Sequence, residues 1–115
     1  MDLPKDLMAA SATPLVLSLL RRGDSYGYEI IKDVRELSDG QLEWKEGMLY
    51  PLLHRLEERE LIWSYDRPSD SGRPRRYYRL LAAGERQLEE QRAGFATINT
   101  MLGALSPRQL GDTHA

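Results

Sequence analysis

Apolar positions along this chain fall first into helical stripes, then into two strand-like runs, then into a heptad series. Leu15, Val16, Leu17, Leu19 and Leu20 make a segment apolar nearly all round, as a core helix requires. Thr13-Pro14 predicts its opening, a hydroxyl cap followed by proline at the first helical position, and Gly23 predicts its end. Asp24-Ser25 predicts the cap of a second helix, Tyr26 to about Leu37, with Tyr26, Ile30, Val34 and Leu37 on one stripe and Ile31 beside it. Gly27 costs that helix about 1 kcal/mol relative to alanine, so its presence predicts close approach of another backbone. Ser38-Asp39-Gly40 ends the helix. Gln41 to Glu46 reads as a connector able to pair as a short strand, with Leu42 and Trp44 pointing the same way.

A third, shorter helix follows. Leu49, Leu52, Leu53 and Leu56 recur at spacings of three and four, which is one buried stripe. Proline has no amide hydrogen to donate, so Pro51 places the helix start near Gly47 or Met48. Tyr50, His54 and Arg55 fall outside the stripe and are available to a partner. Leu61 to Tyr65 and Arg76 to Leu80 read as strands, separated by the turn formers between Asp66 and Arg75. Together they predict a β-hairpin with an arginine-rich tip. Strand alternation puts Arg75 and Arg76 on opposite faces, and likewise Tyr77 and Tyr78, one of which packs beneath the hairpin. Trp63 reads as core. Trp44 reads as structural, with a groove-lining role as the alternative.

The last helix is predicted from about Ala82 to Leu105. Leu81, Leu88, Phe95 and Leu102 are spaced by seven, and Gly84, Gln91, Ile98 and Leu105 form a second series offset by three. At 1.5 Å per residue this helix is roughly 35 Å long, more than so small a core can cover. Self-association is therefore expected through Leu88, Phe95, Ile98, Leu102 and Leu105. Leu3, Leu7 and Met8 share a face if helical, which suits a second subunit, with a partly ordered arm as the alternative. The chain divides into an arm (1–11), a domain (12–81), a dimerisation helix (82–105) and a loose tail (106–115). This is a mainly α fold with a two-stranded β-wing, a winged helix-turn-helix followed by a long C-terminal dimerisation helix.

Composition narrows the functional classes. The 115 residues suffice for one domain, and 41% hydrophobic with 30% charged residues is neither a disordered nor a membrane composition. The longest apolar run, Pro14 to Leu20, is too short to span a bilayer. No secretory signal pattern stands out, and without cysteine there are no disulfides or thiolate metal sites. A cytoplasmic location is expected. The net charge of −2 argues against a nucleic-acid partner until its distribution is examined. Residues 66–79 hold five arginines against two aspartates, so the positive charge is concentrated in the hairpin.

Four pieces of the chain resemble the PadR-like family of transcriptional regulators. Ser25-Tyr26-Gly27-Tyr28-Glu29-Ile30 resembles its second-helix motif, and Gly47-Met48-Leu49-Tyr50-Pro51-Leu52-Leu53-His54-Arg55-Leu56-Glu57 its third-helix signature. Gly72-Arg73-Pro74-Arg75-Arg76-Tyr77-Tyr78-Arg79-Leu80 is similar to its wing, and Gly84 to the glycine that follows. The resemblance covers roughly residues 12–90. It implies a dimeric cytoplasmic winged-helix regulator, usually a repressor on palindromic operator DNA. It also implies release by a small, often aromatic or hydrophobic, effector near the dimer interface. The single C-terminal helix resembles the compact subgroup. Three positions depart from the family pattern. Met48 replaces a Ser or Thr, leaving only apolar contact at the helix start. Leu81 replaces a capping Thr. Ser25 replaces a frequent His, removing a pH-sensitive contact.

The expected DNA-binding residues are Lys45, Met48, Tyr50, Pro51, His54, Arg55, Arg73, Arg75 and Arg76. For Tyr50 the alternative is sealing the core edge, for His54 a solvated surface position, and for Arg55 a surface ion pair. Phe95 and Ile98 are the expected effector contacts. No cofactor or metal is expected: His54 with Glu57 or Glu58 lacks further ligands, and His114 lies in the tail. With no nucleophile motif or glycine-rich phosphate loop, no enzymatic activity is expected. The alternative to a DNA-binding regulator is a winged-helix protein-interaction module that does not touch DNA.

Overall fold

The first helix is longer than its capping signals predict. In the computed structural model, which describes residues 3–107, α1 runs Lys5–Arg22 and passes through Pro14 without a break. Proline at this position leaves the Ala10 carbonyl without its i+4 donor. Ala10 is exposed, so water can take that carbonyl. The expected opening at Thr13-Pro14 is therefore not the start, and residues 5–11 are helix rather than arm. Half-buried Leu3 and Met8 pack against the chain's own core, which extends the helix backwards.

The remaining elements are β1 (Ser25–Tyr26), α2 (Gly27–Leu37), α3 (Glu46–Glu58), β2 (Ile62–Pro68), β3 (Pro74–Leu80) and α4 (Ala82–Ala104). The expected two-stranded wing is a three-stranded antiparallel sheet of order β1-β3-β2. Its third strand is Ser25–Tyr26, paired with Tyr78 and Tyr77. Those two residues were expected to cap and open the second helix, which begins at Gly27 instead. Asp24 is diverted from capping because it accepts hydrogen bonds from Tyr65 and Arg79 on the wing. Gln41 to Lys45 forms no strand. Leu42 and Trp44 are both buried, as the connector's alternation predicts.

One apolar core joins these pieces. Val16, Leu17 and Leu20 of α1 meet Ile30 and Val34 of α2, the four leucines of α3, Ile62 and Tyr78 of the sheet, and Leu88 of α4. Leu37 departs from its expected stripe and stands 68% exposed. It lies beyond the last turn of α2 that the core reaches. Trp63, expected in the core, is 47% exposed. The alternation of β2 sends Ile62 inward, so its neighbour must face out.

Two glycines set how closely the elements approach. A Cβ on Gly27 would lie 2.3 Å from the Tyr50 hydroxyl and 2.7 Å from its Cζ. The close partner there is a side chain, not the expected backbone. Backbone approach occurs at Gly84, where a Cβ would sit 2.1 Å from the Leu61 carbonyl oxygen. That contact fixes the start of α4 on Leu61, the residue before β2. Beyond it, Leu88 is fully buried, Arg21 of α1 pairs with Glu89, and Arg59 donates to Gln87 at 2.9 Å. From Arg92 onward every described residue is exposed, so the second half of α4 leaves the domain uncovered.

Candidate nucleic-acid interface

The helix expected to read DNA is α3. Leu49, Leu52, Leu53 and Leu56 are all buried, so the apolar stripe is consumed by the core. The helix starts at Glu46, with the Lys45 carbonyl accepting from the amides of Met48 and Leu49, both at 3.0 Å. Pro51 thus lies inside the helix, and the carbonyl of exposed Gly47 is left to water. Of the expected contacts, Lys45, Met48, Tyr50, Pro51, His54 and Arg55 are all exposed here, beside the acidic Glu46 and Glu58. His54 has a 75% exposed side chain, 3.8 Å from Glu58 one turn on. Glu58, foreseen as a partner of Arg55, lies beside His54 instead, and among the described residues Arg55 has no ion pair. Tyr50 is only partly available, because its ring end lies over Gly27 and ties α3 to α2.

Against the inner side of the sheet, Ser64 donates to Glu57, which joins β2 to the end of α3. The wing continues outward to a tip held by Ser69. Its amide and hydroxyl both reach the Arg73 carbonyl, at 3.1 and 2.7 Å. Gly72 completes the turn at φ 84°, a left-handed conformation that glycine adopts without strain. Arg73 is exposed at this tip. Arg75 and Arg76 do face opposite ways. Arg76 lies on the inner face, 3.5 Å from Asp66, while the Arg75 guanidinium sits 4.1 Å above the Tyr26 ring on the outer face. Tyr78 packs beneath the wing and Tyr77 faces out.

A lock at the wing's base joins it to the α1–α2 junction. Tyr65 donates to Asp24, and the Arg79 Nη2 and Nε reach the same carboxylate at 3.0 and 3.1 Å. Slight burial alone would raise the Asp24 carboxyl. The hydrogen bonds from Tyr65 and Arg79, with the charges of Arg79 and Arg67, outweigh that and hold it below the usual carboxylate range. The same bond pushes the Tyr65 phenol up. Sequence reasoning missed Asp24, Tyr65, Arg67 and Arg79. Arg67 was within reach, because pairing the two strands places it across from Arg75.

The expected dimer residues divide into two groups. Leu88 is fully buried against its own domain and has no surface to offer a partner, so its assignment to an interface is corrected. Leu3 is half buried on its own core, and Leu7 is exposed. Phe95, Ile98, Leu102 and Leu105 are exposed, together with Met101. The heptad series therefore serves two purposes: its first turns cover the domain, and its last turns cover nothing among the described residues. Phe95 also closes one side of a cleft of about 220 Å³ lined by Ser11, Pro14, Leu15 and Ser18. Ile98 does not line it. No helix of the described residues is long and apolar enough to cross a membrane.

The comparisons agree with this architecture. Residues 16–90 match the profile of the Transcriptional regulator PadR-like family. A transcriptional regulator from Clostridium thermocellum superposes with a TM-score of 0.81 at 30% identity, over 90% of this chain and all of that one. A PadR-like transcriptional regulator from Bacillus cereus gives 0.80 at 25% identity, over 91% and 100%. The Escherichia coli transcriptional regulator YqjI is 36% identical over 90 residues, which are 78% of this chain but 42% of that longer protein. The winged-helix core, the three-stranded sheet and the matching profile together make this chain a member of the PadR-like family of transcriptional regulators.

Proposed function

We propose that the chain is a non-enzymatic, homodimeric repressor that reads a palindromic operator in the cytoplasm. The observation that carries DNA reading is the split surface of α3. All four leucines are spent on the core, while Lys45, Met48, Pro51, His54 and Arg55 stand exposed beside the wing. Met48 offers a thymine methyl an apolar contact, and His54 and Arg55 can bond base edges or phosphates. Arg73 at the tip and Arg76 on the inner wing face supply phosphate contacts. Arg75, stacked on Tyr26 across the sheet, is left out of this set. Tyr50 supports it by holding α3 against α2.

The uncovered half of α4 supports dimerisation. Ile98, Met101, Leu102 and Leu105 are an apolar surface on a helix that none of the described residues covers. A two-fold pairing there gives two reading helices and hence a palindromic site. The cleft beside Phe95 adjoins that surface, which supports a small aromatic or hydrophobic effector seated where the subunits meet.

The test is a gel shift on the promoter region adjacent to the protein's own gene. Charge reversal of Arg73 and Arg76 together should weaken binding to all sequences and flatten its salt dependence. Unchanged binding would remove the wing from the interface. A protein that shifts no duplex, yet binds a protein partner independently of salt, would favour the interaction-module reading.

A further inference from the structure

The wing sheet has two faces, and the core uses only one. Ile62, Ser64, Tyr78 and Leu80 face inward toward α1 and α3. The outer face carries a ring ladder: Trp63 and Tyr65 stack at 5.3 Å, Tyr65 and Tyr77 at 6.0 Å, and Tyr26 meets Tyr77 edge-on at 5.2 Å. Arg67 and Arg75 lie on this face directly opposite each other in the strand register. Like charges in that position destabilise a sheet. Each guanidinium is laid on a ring, Arg67 4.4 Å from the Tyr77 centroid and Arg75 4.1 Å from that of Tyr26, which offsets part of the repulsion. Stacking uses the guanidinium face and leaves its in-plane N–H donors free for anionic oxygens.

We propose that this outer face is a second anion-binding surface, which takes a phosphodiester backbone between Arg67 and Arg75. Charge complementarity commits it to a polyanion. Arg79 is met by Asp24 and Arg76 by Asp66, but among the described residues Arg67 and Arg75 take part in no ion pair. The face is continuous with Arg73 at the tip, so phosphate-binding chemistry carries round the wing. Because α3 lies on the inner side, joined there by the Ser64–Glu57 bond, the pair points away from the duplex that α3 reads. The phosphates come either from DNA flanking the operator and bent around the wing, or from a second duplex. The inference rests on the DNA-binding reading above.

The experiment compares wild type with the double variant R67Q/R75Q on a 20-bp operator duplex and on a 50-bp extension of it. Two lost phosphate contacts reduce the salt slope by about 1.8, so between 50 and 200 mM salt the wild type should lose about tenfold more affinity for the 50-bp duplex than the variant does. On the 20-bp duplex the two should lose equally. If the source is a second duplex, the difference appears instead in capture of a labelled random 50-bp duplex by protein held on bead-bound operator. The variant loses two cation–π contacts and relieves one like-charge pair, so its melting temperature should stay within a few degrees of wild type. Equal behaviour of the two proteins in both the 50-bp and capture assays would overturn the proposal. So would the same tenfold difference between the two proteins on the 20-bp duplex, which would place the pair in the primary contact. A lower melting temperature with unchanged DNA binding would also overturn it, leaving the ladder a purely structural device. Wild type binding neither duplex would overturn the DNA-binding reading itself.

Discussion

Gly84 tests the packing that holds α4 to the winged-helix core. Alanine there puts a methyl carbon 2.1 Å from the Leu61 carbonyl oxygen and 2.7 Å from Leu80 Cδ1. Ordinary contact begins near 3.4 Å, so the start of α4 must draw back by more than an ångström. The same carbonyl accepts the Leu81 amide at 3.0 Å, and that bond is strained or lost as the helix retreats. Overpacking costs about 1–3 kcal/mol and the hydrogen bond about 1 kcal/mol. Alanine returns about 1 kcal/mol of helix propensity. The net loss is about 1–3 kcal/mol, or a fall in melting temperature of roughly 4–12 °C for a domain of this size. Gly94, on the same helix, is the control: nothing lies within 4 Å of its Cβ position. Gly94→Ala should gain the propensity alone and melt higher by about 4 °C. Thermal unfolding followed by circular dichroism, at one protein concentration, reads both. If Gly84→Ala melts at or above the wild type, the close approach of α4 to the Leu61 carbonyl is refuted.

Ile98→Glu with Leu102→Glu should yield a folded monomer by sedimentation, since both positions are exposed within one chain; a persisting dimer would place the interface elsewhere. Leu88→Ala, by contrast, opens a cavity in the chain's own core and should destabilise it by about 2–5 kcal/mol in urea unfolding. The Asp24 carboxyl is held below its unfolded value, so its stabilising effect is fully present above the usual carboxylate range and is lost as pH falls through the lowered value. Asp24→Asn should remove that acid limb from the stability–pH profile while leaving the neutral-pH fold intact; an unchanged limb would deny the wing lock.

The helices and the hairpin were legible because each carries a period: the α3 leucines, the Ile30–Val34 pair and the strand alternation all fold as their spacing predicts. What escaped was set by tertiary contact. Pro14 reads locally as a helix opening, but packing by Leu3 and Met8 draws the helix through it. Ser25 and Tyr26 read as part of the cap and the first residue of the second helix, but the free edge of β3 recruits them as a strand and Asp24 locks the wing. Leu37 and Trp63 have the residue types of a core and lie where no core reaches. The dual use of the heptad was hidden because Leu88 and Phe95 occupy equivalent positions. Only the fold shows that the domain ends between them. At the candidate interface, the outward set on α3 was legible from the stripe it avoids, whereas the opposed Arg67 and Arg75 required the strand register.

The central claim is a division of labour in which α3 chooses the sequence and the wing adds phosphate affinity. The most direct measurement is the ratio of operator to random-duplex affinity, by fluorescence anisotropy, for His54→Ala/Arg55→Ala and for Arg73→Gln/Arg76→Gln. The account predicts that the α3 pair lowers this ratio by tenfold or more, at about 1–3 kcal/mol per lost base contact. The wing pair should weaken both affinities alike and leave the ratio unchanged. A ratio that falls with the wing variant and holds with the α3 variant would contradict it.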